Sequence, residues 1–310
     1  MYRKNKSFLA ILFLFNIFYM YAQHLDSLDV DSTKLDTLKS SNWKLKSLHY
    51  LNGTQSSFVN WNAGGRNNIS LNASIRASAN FNKEMWSWSN DLSLAFGGIK
   101  YLDESEVFMY QKTDDKIDLS SMAGIRISKK FLISLNAGFK TQFADGFNYP
   151  NDSIAISKFM APGYMNLALG TDYVKDANFS VFGSPFAAKT TFVMDDSLSE
   201  IGSFGVEKGE RVRHEFGAFI KLKWNAALMK NIEMKSKLEL FSNYLNNPQN
   251  IDVNAELVFV FRVNSLFSAT AQWNLIYDDD IQIRDIDGNV GPRTQFKSVL
   301  GIGISYKLEN

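Results

Sequence analysis

Asn68-Ile69-Ser70-Leu71-Asn72-Ala73-Ser74-Ile75-Arg76-Ala77-Ser78-Ala79-Asn80-Phe81 alternates polar and apolar side chains without a break. Successive residues of an extended chain point to opposite faces. Ile69, Leu71, Ala73, Ile75, Ala77, Ala79 and Phe81 therefore share one face. Asn68, Ser70, Asn72, Ser74, Arg76, Ser78 and Asn80 share the other. A strand of this kind separates an apolar medium from water. The same period runs through 85–97, 116–128, 131–143, 163–174, 179–194, 214–227, 232–244, 252–263, 267–278 and 296–308. These stretches are about twice the usual 5–6 residues of a strand in a soluble protein, and long enough to cross a bilayer at a tilt. One of them breaks step. Gly183-Ser184-Pro185 interrupts 179–194, and because proline cannot donate to a ladder a bulge or bend is expected there.

Tight connections at 82–84, 128–130, 175–178, 229–231 and 264–266 alternate with mostly longer ones at 98–115, 144–161, 195–213, 245–251 and 279–295. Bacterial outer-membrane barrels show this asymmetry, with short periplasmic turns, longer outside loops and an even strand count. The poorly alternating segment 45–59 is expected to supply the missing strand. The expected fold is all-β: a single antiparallel transmembrane β-barrel of about 12 strands in up-and-down order. A soluble sandwich would also alternate, but its core would not sort aromatics by position. Here Phe81, Trp86, Phe131, Tyr173, Trp224, Phe267 and Tyr306 lie near the tight turns. Phe96, Phe143, Phe192, Phe216, Tyr244, Tyr277 and Phe296 lie near the long loops. Two aromatic rows bounding an aliphatic band mark the two headgroup levels of a membrane.

The chain has 310 residues, a formal net charge of +1 and no cysteine. The charge gives no reason to expect a nucleic-acid partner, and the missing cysteines exclude disulfides and thiolate chemistry. Arg3, Lys4 and Lys6 precede an apolar run from Phe8 to Ala22, which reads as a secretory signal peptide over 1–22 with cleavage near Ala22-Gln23. Residues 23–44, with Asp26, Asp29, Asp31 and Asp36, read as a flexible periplasmic lead-in, and 45–310 as the barrel.

By parity the inward face carries Arg76, Arg126, Lys140, Lys221, Lys223, Lys235, Lys237 and Arg262, with Asp91, Asp118, Asp172, Glu239 and Glu256. Two readings follow: an anion-favouring lumen, or an interior filled by its own ion pairs. Catalysis finds little support. His24, His49 and His214 are the only histidines, and no Gly-x-Ser-x-Gly elbow occurs. No catalytic residue is assigned. Asp278-Asp279-Asp280 and Asp285-Ile286-Asp287-Gly288-Asn289 lack the closing Glu of a calcium loop and read as turn, so no metal site or cofactor is expected.

The most distinctive run is 55–68, with Gln55, Asn60, Trp61, Gly64, Gly65 and Asn68. Its two glycines permit a tight loop, from which Asn60 and Trp61 could dock into the barrel mouth. Together with Ser184-Pro185-Phe186-Ala187-Ala188-Lys189-Thr190-Thr191 and the ending Gly301-Ile302-Gly303-Ile304-Ser305-Tyr306-Lys307-Leu308, it resembles a family of Bacteroidetes outer-membrane proteins known only as a domain of unknown function. The resemblance implies a barrel and brings no known site residues. Barrel proteins often finish on an aromatic that the assembly machinery reads; here Leu308 takes that place, followed by Glu309-Asn310, with Tyr306 just before. The expected role is a non-catalytic binding, structural or small-solute function in the cell outer membrane. A narrow anion-favouring diffusion pore is the alternative, and a lipid-acting enzyme the second. The expected partners are outer-membrane lipid and the barrel-assembly machinery, with the ligand open.

Overall fold

A computed structural model describes residues 42–57, 66–102, 110–284 and 289–309. The expected signal peptide, nearly all of the lead-in, and Asn60, Trp61, Gly64 and Gly65 lie outside the described residues.

Twelve strands close into one antiparallel barrel in which every strand pairs with its sequence neighbours. They are β1 (Trp43–Ser56), β2 (Asn68–Lys83), β3 (Trp86–Tyr101), β4 (Gln111–Arg126), β5 (Phe131–Thr141), β6 (Gly163–Asp176), β7 (Phe179–Phe192), β8 (Val212–Met229), β9 (Ile232–Asn243), β10 (Ile251–Arg262), β11 (Phe267–Tyr277) and β12 (Gln295–Glu309). The first strand closes on the last, from Lys46↔Glu309 to Asn52↔Gly303. Closure leaves no edge with unpaired backbone groups, which an apolar surrounding requires.

The barrel is inside out relative to a water-soluble protein. Leu71, Leu119, Ile133, Leu135, Leu167 and Leu169 are exposed, whereas Asp118, Asn136, Lys221, Glu239 and Glu256 are buried. The aromatic rows form as expected. Phe131 packs on Tyr173 at 5.2 Å at the short-turn end, and Phe216 on Tyr244 at 6.2 Å at the long-loop end. Trp43 joins the first row, 5.3 Å from Phe81 and 5.6 Å from Trp88. Polar atoms on the outer face satisfy one another: Trp88 Nε1 donates to Ser121 Oγ at 2.9 Å, and Ser121 Oγ donates to Asn90 Oδ1 at 2.8 Å.

Two departures from the expected strands have local causes. β4 begins at Gln111, not 116. Residues 111–115 form a charged stretch that reads as loop only if charge is barred from strands. The barrel interior accepts it, and Asp114 takes Lys297 at 2.7 Å. The break in β7 is a bulge: three residues of β7 span the interval that two residues span on each neighbour. Ser184 Oγ accepts from Phe186 N–H at 3.1 Å and lies 2.7 Å from the Leu169 carbonyl oxygen. A Cβ on Gly170 would come within 2.1 Å of the Gly183 carbonyl oxygen, so glycine is needed for this close approach.

Between β7 and β8 the chain forms a short helix α1 (Asp196–Glu200) and a small apolar centre of Ala161, Val193, Leu198 and Val206. Asp195 caps the helix, accepting the Leu198 N–H at 3.2 Å, and ion-pairs with Lys158 of the preceding long loop at 2.6 Å. The hydrogen bond from Lys158 holds the Asp195 carboxyl at about 2, below its ordinary 3.8. A carboxyl lowered in the folded state stabilises it above the ordinary value, and that contribution is lost as pH falls towards the lowered one. The hydrogen-exchange protection factor of the Leu198 amide is expected to drop between pH 4 and pH 2. In Asp195→Ala it should be low at both, with a loss of about 1 kcal/mol for a missing cap. Equal protection in the two proteins at pH 4 would contradict this role.

Candidate functional site: the lumen

Alternate residues of β2, β4, β5, β8, β9 and β10 bring their charges together at mid-depth. Arg76 pairs with Glu256 at 2.7 Å, and Glu256 with Lys116 at 2.6 Å. Lys116 lies 3.6 Å from Asp118, and Asp118 3.2 Å from Lys237. Lys237 meets Glu239 at 3.1 Å, and Glu239 also bonds Lys140. The result is one chain of alternating sign that runs from the β2, β4 and β5 wall to the β9 and β10 wall. Lys221, 2% exposed, flanks it 3.9 Å from Glu239 and donates to Ser120 Oγ at 2.5 Å and Asn136 Oδ1 at 3.2 Å. Buried charges persist only when paired and hydrogen-bonded, and each member here has a partner across the lumen.

The lumen face is not uniformly polar, which corrects the parity reading. Phe182, Phe219 and Phe241 point inward and pack with Ala168, Ala187 and Met122. Phe182 and Phe219 lie 6.3 Å apart. A second inward cluster joins Leu48 and Tyr50 of β1 to Val258 and Val260 of β10. The signal for Phe219 was present. Phe216 and Phe219 are three apart, so one strand cannot hold both on the same face.

Nearer the long loops, Lys189 sits among Asp252 at 2.5 Å, Asp278 at 2.8 Å and Glu215 at 3.5 Å. Arg213 pairs with Glu215 at 2.8 Å and Asp280 at 3.0 Å. Asp252, Asp278 and Asp279 bring one carboxylate oxygen each within 4.8 Å of one another. Lys189 neutralises two of them, and Asn250 donates to Asp279 at 2.6 Å. Sequence reading missed Lys116, Lys189, Glu215 and Asp252, which lie within the expected strands and follow from their parity, and Asp114, which lay in the expected loop 98–115.

The other sequence candidates are placed apart from the central chain. Lys223 bonds Asp91, and Arg262 meets Glu233 at 2.9 Å. Asp172 is buried with Oδ1 unpartnered. Arg126 reaches the Lys129 carbonyl oxygen at 3.3 Å, at the turn into β5. Gln55 lies on the outward face with its register partner Ile69, and Asn68 donates to the Arg66 carbonyl oxygen at 3.0 Å. His214 Nδ1 lies 3.1 Å from Thr190 Oγ1. His49 Nε2 lies 2.8 Å from Ser47 Oγ, a pairing absent from the sequence reading, and its register neighbours Ile75 and Tyr306 are not carboxylates.

On the short-turn side of the charge chain the lumen opens into a cavity of about 260 Å³, reached by Lys46, Ser78, Ser93, Asn225 and Lys235.

Residues 54–147 match the model of a family described as a protein of unknown function (DUF3078). This match takes in the Gln55–Asn68 run and not the 184–191 and 301–308 blocks. No curated protein matches the chain. Similar solved structures include the translocator domain of the autotransporter NalP from Neisseria meningitidis, at 10% identity and a TM-score of 0.34, covering 93% of this chain and 94% of that one. An outer-membrane channel from Pseudomonas putida F1 is similar at 12% identity and 0.38, covering 90% and 100%. The NanC porin is similar at 7% identity and 0.36, covering 83% and 98%.

Proposed function

We propose that the chain is a non-catalytic outer-membrane β-barrel whose lumen is closed to free diffusion and whose role is binding or structural. The short turns then face the periplasm and the long loops the outside. Support for the location comes from the outward apolar band between aromatic rows, and from strands of 11 to 18 residues. An apolar surface of this extent in water would far exceed the patches that monomeric soluble proteins tolerate. Outer-membrane lipid and the barrel-assembly machinery are the partners such a fold needs.

The observation that carries the closed reading is the chain of charge from Arg76 through Glu256, Lys116, Asp118, Lys237 and Glu239 to Lys140. Charges facing a water column need no partner, whereas here charges of opposite sign meet across the lumen, as buried ones must. The cationic lining of the short-turn cavity favours a second reading, a narrow anion-selective channel. Planar-bilayer recording of the purified, folded protein decides between them. No unitary steps are expected; reproducible anion-selective steps would overturn the closed reading.

A further inference from the structure

The short-turn cavity has a charge imbalance that the closed lumen does not explain. Lys46, Arg76, Lys116, Lys223, Lys235 and Lys237 line it. Its acidic lining residues are Asp91, Asp118 and Glu256, and each is already engaged: Asp91 by Lys223, Asp118 by Lys116 and Lys237, Glu256 by Arg76 and Lys116. Six cations face three carboxylates, which leaves an excess of three positive charges. Lys235 carries that excess most plainly. It forms no ion pair with any carboxylate among the described residues. The charged groups around it include Arg76, Glu233, Lys46 and Arg262, and Glu233 is already taken by Arg262 at 2.9 Å. Like charges held together in a partly enclosed space repel strongly, and a protein that only needed to fill its lumen would gain by losing one.

We infer that this cavity is a binding site for a small multivalent oxyanion of the phosphate or phosphomonoester class, anchored by Lys235. The inference deepens the closed-barrel reading and rests on the same lumen. A dianion offsets the excess that a halide would leave standing, and its oxygens accept the charge-assisted hydrogen bonds that Lys235 and Arg76 offer. The volume, about 260 Å³, falls just under the roughly 300 Å³ at which drug-sized pockets begin. It fits a phosphate with a small organic body and excludes an oligosaccharide. The mouth lies at the short-turn end, so the ligand enters from that side and stops at the Glu256–Lys116–Asp118 chain.

The test is calorimetric titration of the full chain, folded in non-ionic detergent and free of phosphate, with inorganic phosphate and with glycerol 3-phosphate. Binding of one equivalent is expected. Lys235→Gln is expected to weaken it about tenfold, the worth of one hydrogen bond between charged groups, while heat-modifiable migration shows that the barrel is intact. Lys46→Gln, at the rim, gives a second variant with a smaller loss should the first not fold. Dihexanoyl phosphatidic acid is the arm that separates a lipid headgroup from a free solute. Absence of phosphate binding, unchanged affinity in both variants, or binding of the lipid alone would each overturn the inference. Failure here is distinct from failure of the closed reading. Conductance steps with phosphate bound would overturn closure and leave the site standing, and a silent bilayer without phosphate binding would do the reverse.

Discussion

Leu135→Arg is expected to destabilise the folded barrel in a bilayer by about 2–4 kcal/mol, the cost of a lipid-facing arginine near the midplane. Leu135 lies midway along β5, is exposed, and pairs with Ala123 and Leu169 on its two sides. None of the three offers a guanidinium a partner. Leu308→Arg provides the contrast. Leu308 is also outward, but lies near the short-turn end of β12 beside Ser47, where the cost is expected to fall to about 0–1 kcal/mol. Urea titrations of vesicle-embedded protein, read by tryptophan fluorescence and heat-modifiable migration, measure both. Equal small losses at the two positions would mean that the band around Leu135 does not meet hydrocarbon.

Removing Glu239 is the second large effect. Its carboxylate is shared by Lys140, Lys237 and, at 3.9 Å, Lys221. Glu239→Ala leaves three cations facing one another in a region shielded from water. Breaking a buried charge pair by deleting one partner typically costs about 3–5 kcal/mol, most of it the penalty of the charge left behind. A loss in that range is expected in the same urea titration. Arg126→Ala, at the β4–β5 turn, is expected to stay within about 0.5 kcal/mol, as surface substitutions do. If Glu239→Ala were as mild as Arg126→Ala, the charge chain would be a set of independent solvated pairs and the lumen would be wet.

Much of this was legible in the sequence. The alternation from Asn68 to Phe81 assigned each residue of β2 to its face, and Pro185 announced the bulge in β7. Strand number and order followed from turn lengths. What parity could not supply was depth and partnership. It placed Lys140 and Glu239 inside, but their meeting depends on how two strands on opposite walls are staggered, a three-dimensional quantity. It placed Arg126 inside as well, although the strand ends there and the side chain turns to the Lys129 carbonyl. The inward phenylalanines were hidden by the assumption that a lumen must be polar. Phe219 and Phe241 show that the lumen carries an apolar layer beside its charges. Asp114 was hidden by the habit of reading a charged run as loop, whereas Lys116 opened an expected strand and was passed over.

The chain has no cysteine, so single cysteines report on single sites, and the claim of closure is tested most directly by their reactivity in vesicles. Ser134 is 2% exposed and Leu135 is its outward-facing, exposed neighbour, while Ser93 lines the short-turn cavity. Ser→Cys is close to isosteric at both serine positions. A charged methanethiosulfonate reagent is expected to modify Ser93→Cys rapidly, Leu135→Cys only when the bilayer is removed, and Ser134→Cys only after unfolding. Modification of Ser134→Cys in the folded protein at the rate of Ser93→Cys would show that water fills an interior wall the structure packs shut, and would contradict a closed barrel.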